Sequence, residues 1–340
     1  MRKIGGQLLL CLQSGTLKLL VLAGLILLAW GTIAPVGTLV WWLSQSSENL
    51  GIKKSLIRKS PRDNLSSKLE KSQNQNIDCY IVFLPGVGDF SANQLTQGEE
   101  FFLNELERIH PNCVTVRDVF PYSAANESLG GRRLLAPLWS AAEKADGWFS
   151  NTDILIKIRN LWRFAISADD RYGHIYNLGI ANAIVNRMNA VYPLPKYPKQ
   201  RLKLILIGTS GGVQVALGAV NYLDQWLNAE LIVVSIGGDF DGENGFDAVE
   251  HVYQLVGRRD WIEDISQIVF ASRWPITVGS PFNKARRQER YTVVKTGPHA
   301  HSGSQGYFGT TTIGQSQTTY VELTLKKVNQ LPIWSNQKQR

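Results

Sequence analysis

Ser210 stands between Gly208 and Gly212 in LKLILIGTSGGVQVALGAV, where an apolar run gives way to a glycine pinch and then to a helical pattern. A serine raised on so sharp a strand-to-helix turn would hold its hydroxyl clear of its neighbours, near the positive end of the following helix. That is what a nucleophile for acyl transfer requires. The competing reading is a serine that only caps the helix. A hydroxyl is a weak nucleophile without a base, and the chain holds five histidines: His110, His174, His251, His299 and His301. The first three fall at a helix end, before a helix and at the start of a strand. His299 and His301 share the glycine-rich stretch GPHAHSGSQGYFG after the last apolar run, and on their residues alone both stay candidates. A carboxylate to orient the imidazole is offered by Asp260 in HVYQLVGRRDW, or by Asp239 and Asp241 in GGDFDG.

Other chemistries fit these residues less well. The His-x-His pair has no cysteine near it and no H-x-x-x-H elsewhere to complete a ligand set, so no metal is expected. GTSGG lacks the lysine of a phosphate-binding loop, and no G-x-G-x-x-G follows the first strand, so no nucleotide cofactor is expected.

The elements that must position these groups are short and alternate. IDCYIVFL, CVTVRDVFPYS, LKLILIG, AELIVVSIGG, HVYQLVG and RYTVVKTG read as strands, separated by helical patterns over 97–109, 172–192 and the stretch after Ser210. TYVELTLKKVNQLPIW reads as a terminal helix. The strands are apolar throughout rather than alternating, as parallel strands buried on both faces should be. The expected fold is therefore α/β, an open, mostly parallel sheet with helices on both faces and its ligands at the strand carboxyl ends. Each chemical candidate favoured here lies at such an end. A less regular stretch, 124–170, holds RRLLAPLWSAAEKA and ILIKIRNLWRFAI; its Trp139, Trp148, Trp162 and Phe164 would suit an apolar cover over the site.

The rest of the chain adds a second region. Leu17 to Leu43 carries one charge, Lys18, at its start, and has the length of a bilayer-spanning helix. Residues 1–44 are thus expected to form a membrane anchor, 45–76 a flexible basic linker and 77–340 the folded domain. The larger basic excess follows the span, which places the domain in the cytoplasm of a single-pass protein. Of the +8 formal charge, much lies in Lys53–Lys71 and in KARRQER, Lys284–Arg290. Neither cluster sits in a nucleic-acid-binding pattern, so no nucleic-acid partner is expected. The three cysteines, Cys11, Cys79 and Cys113, form neither a disulfide framework nor a metal set. Cys79 and Cys113 read as core residues of a reducing compartment.

The G-T-S-G-G elbow resembles that of the α/β-hydrolase family, over a span from Ile77 to the C-terminus. The resemblance implies a serine esterase or lipase-like activity on a small-molecule or lipid ester, the anchor favouring a lipid-derived one, with the triad in the order serine, acid, histidine. It favours Asp260 over Asp239 and Asp241, through its strand-Gly-x-x-Asp arrangement. It favours His301 over His299, because Gly297-Pro298, two residues, His301 and then Tyr307 match a pattern common in similar hydrolases. It also implies two oxyanion donors. One is the N–H of Gly211, and the other comes from the loop LPGVGD, from Val87 or alternatively Gly88. Pro85 stands where relatives often carry histidine. The alternative to an ester hydrolase is an inactive, membrane-tethered scaffold on the same fold.

Overall fold

Six strands form one sheet in the order β2-β1-β3-β4-β5-β6, and every neighbouring pair is parallel. A computed structural model describes residues 77, 79–87, 94–122, 152–169, 171–194 and 201–334. The strands are β1 (Cys79–Leu84), β2 (Cys113–Val116), β3 (Leu202–Thr209), β4 (Ala229–Ile236), β5 (His251–Arg259) and β6 (Tyr291–Ala300). The helices are α1 (Gln97–Ile109), α2 (Thr152–Ala168), α3 (Gly173–Val191), α4 (Gly212–Trp226), α5 (Ile262–Val269), α6 (Pro281–Arg287) and α7 (Tyr320–Asn329).

The apolar runs are explained by two cores, one on each face. Side chains alternate along a strand, so Tyr80, Val82 and Leu84 of β1 join a cluster with Ile180, Ile184 and Met188 of α3 and Val215 and Val220 of α4. Cys79, Ile81 and Phe83 join the opposite cluster, with Phe102, Leu103 and Leu106 of α1 and Val321 and Val328 of α7. The same split runs through β3 and β4. Each such side chain contributes about 1.5–3 kcal/mol on burial. This is the α/β-hydrolase-type fold, a parallel sheet with helices on both faces. Helices α1 and α7 each begin with a capping box, Thr96 with Glu99 and Thr319 with Glu322, which fixes where they start.

The strand order also places the site. From β1 the chain first steps to one side, to β2, and then crosses to the other, to β3. That reversal opens a crevice at the carboxyl ends of β1 and β3. The register sets Leu84 opposite Gly208 and Thr209 opposite Ile236, so loop 85–87, Ser210 and the turn after β4 meet there. Arg259 pairs with Ala300, which brings Asp260 and His301 together at the same edge.

Four expectations need correction. No helix among the described residues is long and apolar enough to cross a membrane. The longest, α3, carries Asn177, Asn182, Asn186, Arg187 and Asn189. The span expected at Leu17–Leu43 and the linker 45–76 lie outside the described residues, so the membrane anchor, the single-pass topology and the cytoplasmic tethered domain find no element here and are not carried forward. Second, Cys79 and Cys113 are buried in the core as expected, yet they are joined in a disulfide. They are register partners at the start of β1 and β2, and a structural disulfide argues against a reducing compartment. Third, β2 ends at Val116, well short of the run to Ser123. Fourth, β6 continues to Ala300, so His299 belongs to the strand and not to the loop after it. Of the stretch 124–170, Trp139 and Trp148 lie outside the described residues.

Candidate active site

Ser210 occupies a left-handed backbone conformation, φ 49°, which non-glycine residues adopt rarely and at a cost. Its neighbours hold it there. The Ser210 N–H donates to the Ile236 carbonyl (3.2 Å), and the Ser210 carbonyl accepts from the N–H groups of Val213 (3.2 Å) and Asp239 (3.1 Å). The flanking glycines answer to close approach rather than flexibility. A Cβ at Gly212 would lie 2.1 Å from the Leu84 carbonyl oxygen, and one at Gly208 would lie 2.8 Å from the Val213 backbone. The turn can be this sharp only where those side chains are missing.

The three expected side chains form one line. His301 Nε2 lies 3.0 Å from Ser210 Oγ, and His301 Nδ1 lies 3.0 Å from Asp260 Oδ1. With its proton on Nδ1, donated to the carboxylate, the imidazole leaves Nε2 free to accept from the serine hydroxyl. The Asp260 side chain is fully buried and that of His301 mostly so. A buried carboxylate must be hydrogen-bonded to remain stable there, and Asp260 is. Its Oδ1 also accepts the Ile262 N–H (3.1 Å), and its Oδ2 accepts the Tyr307 hydroxyl (2.7 Å). That hydroxyl in turn accepts the Gly257 N–H (2.8 Å). β4 pairs with β5 only as far as Leu255, so Gly257 lies beyond that ladder and its N–H can turn to the tyrosine. Burial and the adjoining carboxylate push the Tyr307 hydroxyl well above its ordinary pKa, so it stays a donor.

On the other side of Ser210, two backbone groups are braced by side chains. The Gly211 carbonyl accepts the Tyr122 hydroxyl (2.6 Å), and the Val87 carbonyl accepts the Asn160 amide (3.0 Å). Arg163 donates to the Tyr122 carbonyl, tying α2 to the same wall. The two loops touch, since a Cβ at Gly211 would lie 2.5 Å from Val87 Cγ2 and one at Gly86 2.9 Å from Ser210 Cβ. Gly211 caps α4 without a side-chain partner, and its N–H therefore lies at the positive end of that helix. Gly88 lies outside the described residues.

The remaining candidates go elsewhere. His299 is fully buried, with Nε2 3.0 Å from the Tyr320 carbonyl and 3.1 Å from Thr324 Oγ1, and its ring stacks on Tyr307 at 5.2 Å. Burial holds its pKa below the ordinary histidine value. Asp241 accepts from the Gln214 and Asn244 amides and from two backbone N–H groups, which ties its loop to α4. Asp239 lies beside Ser210 through its backbone, while its Oδ1 is buried with no hydrogen-bond partner. Burial raises its pKa. Tyr122 and Asn160 escaped sequence reasoning. The only signal was a polar residue inside the apolar pattern ILIKIRNLWRFAI, and a tyrosine after Pro121.

No family model matches the chain, and no curated protein matches it. The resemblance to α/β-hydrolases is therefore one of fold and of site, without an assignment to the family. Within that fold, a serine on a strained elbow, an imidazole and a buried carboxylate in hydrogen-bonded sequence form a triad-like arrangement that supports serine-hydrolase catalysis.

Proposed function

We propose that the protein cleaves carboxylic esters by way of an acyl-enzyme, with Ser210 as nucleophile, His301 as base and Asp260 as the group that orients it. The observation that carries this reading is the position of His301, 3.0 Å from both partners through its two ring nitrogens. As Ser210 Oγ attacks the acyl carbonyl, His301 Nε2 takes its proton, and the Asp260 charge favours the imidazolium that forms. The tetrahedral oxygen collects negative charge next to the N–H groups of Gly211 and Val87, the two donors proposed for the oxyanion. Donors fixed in advance stabilise that charge by several kcal/mol in total. Tyr122 and Asn160 act through them, since each holds the carbonyl of one donor residue. Collapse of the intermediate expels the alcohol, protonated by His301; water then attacks the acyl-serine with His301 again as base.

The test is covalent labelling. Wild-type protein should react with a fluorophosphonate and hydrolyse a short-chain p-nitrophenyl ester, and Ser210→Ala should do neither while melting as a folded domain. Undiminished labelling of the folded alanine variant would remove Ser210 from the mechanism.

A further inference from the structure

Between Asp260 and α6 the surface changes character. Trp261, Ile265, Ile268, Val269, Ile276 and Val278 are all exposed, Ile268 to 71% and Ile276 to 80%, and Trp274 joins them. Isolated exposed apolar residues are ordinary, but so dense a run of them along one short segment points to a contact surface. The segment 261–278 contains only three charged residues, and two of them, Glu263 and Arg273, are buried and paired with each other at 3.0 Å. Asp264 is the single exposed carboxylate.

The patch is held in shape. The Trp274 indole N–H donates to the Ile268 carbonyl (3.1 Å), closing the end of α5. The Asn283 amide donates to the carbonyls of Trp274 (2.8 Å) and Thr277 (2.9 Å), and Arg287 donates to the Val278 carbonyl (2.8 Å). That last bond joins the patch to α6, where Lys284, Arg286 and Arg287 are exposed. A rim of cations therefore borders an apolar surface that carries two tryptophans. Amphipathic elements of this composition lie flat in the boundary of an anionic lipid layer, without spanning it. The surface also adjoins the candidate site at two points. Trp261 follows Asp260 directly, and Phe270 packs on the buried Phe164 at 6.0 Å, whose ring would lie 3.0 Å from a Cβ at Gly211.

We propose that the segment 261–278 and the basic side chains of α6 dock this hydrolase on an anionic lipid surface, from which ester substrate reaches Ser210. The docking contact stands on the surface alone; delivery of substrate rests on the ester-hydrolase reading. It is a peripheral contact and owes nothing to a spanning helix.

The experiment uses the full chain with Cys11→Ser and Ile276→Cys, so that an environment-sensitive nitrobenzoxadiazole probe attaches at position 276. Its emission should shift to the blue on addition of phosphatidylcholine vesicles containing phosphatidylglycerol, and much less with phosphatidylcholine alone. Lys284→Gln with Arg286→Gln should weaken the shift, and a probe at Val191→Cys should show none. Ile268→Asp with Ile276→Asp should lower hydrolysis of a vesicle-borne long-chain ester by about tenfold or more, with a soluble short-chain ester cleaved within about twofold of wild type. A probe at 276 that stays in water with both vesicles overturns the proposal. So does a probe already shielded without lipid, which would mean that another part of the chain or a second copy covers the surface. If no ester is cleaved by any form, the hydrolase reading fails on its own, and the probe still decides the docking.

Discussion

Two carboxylates end adjacent strands at the same edge of the sheet, Asp239 after β4 and Asp260 after β5, and they have opposite fates. Asp260 is fully buried yet has donors on both oxygens: an imidazole and a backbone N–H on one, a tyrosine hydroxyl on the other. Asp239 lies nearer to Ser210 along the backbone, but one of its buried oxygens has no donor at all. A carboxylate is useful for orienting a histidine only if it remains ionised in a poorly solvated place, and that depends on what donates to it more than on distance. The difference comes from the next strand. β6 runs alongside β5 and carries His301 and Tyr307 beyond its end, where both donate to Asp260.

The comparison can be tested most severely at Asp260. Asp260→Asn would leave the imidazole in the wrong tautomer and should lower kcat by about ten-thousand-fold in ester hydrolysis; near-normal turnover would hand the role to Asp239. Tyr307→Phe removes one donor and leaves the carboxylate in place. A hydrogen bond to a charged group contributes about 1.5–3 kcal/mol, so kcat should fall about ten- to hundredfold while KM holds. A rise in KM alone would show that Tyr307 contacts substrate instead.

His299 offers a milder contrast with His301. His299→Gln should keep turnover within about threefold, measured on the soluble ester. Its effect belongs to stability. Burial depresses the folded-state pKa of His299, so the unfolded chain binds the proton more readily. The stability owed to the neutral ring is present above about pH 6.5 and lost as pH falls through the folded value. Thermal melts of the variant should therefore depend less on pH below about 6.5 than those of wild type. Asp239→Asn should have the smallest effect. Because burial raises the folded pKa of Asp239, its contribution is favourable in acid and lost as pH rises through that value. The asparagine variant should thus be more stable than wild type near pH 7, by about 1 kcal/mol, and equally active. A less stable variant would reveal a partner for that oxygen.

Much of this was legible in the chain. Strands buried on both faces have no polar positions to spare, which is why IDCYIVFL, LKLILIG and AELIVVSIGG stood out and gave the fold class. The elbow was legible because its two close approaches admit only glycine. The choice between His299 and His301 needed the family resemblance, since both sit in one short stretch; what separates them is the end of β6 at Ala300, a boundary that the sequence blurred by placing glycine and proline inside the strand. The Cys79–Cys113 pair could not be read, because 34 residues separate the two and only the parallel register makes them neighbours. Tyr122 and Asn160 were hidden for a similar reason: each braces a backbone carbonyl from another element, a contact that no local pattern announces.

The disulfide joins the first residues of β1 and β2, whereas everything chemical gathers where the strands finish. A cross-link closing a loop of this size contributes about 2–4 kcal/mol, chiefly by limiting the disordered chain. Durability and turnover are consequently anchored at opposite rims of the molecule. The cross-link bears on how firmly the chain stays folded and the serine elbow on its chemistry, so a change at one rim need not disturb the other.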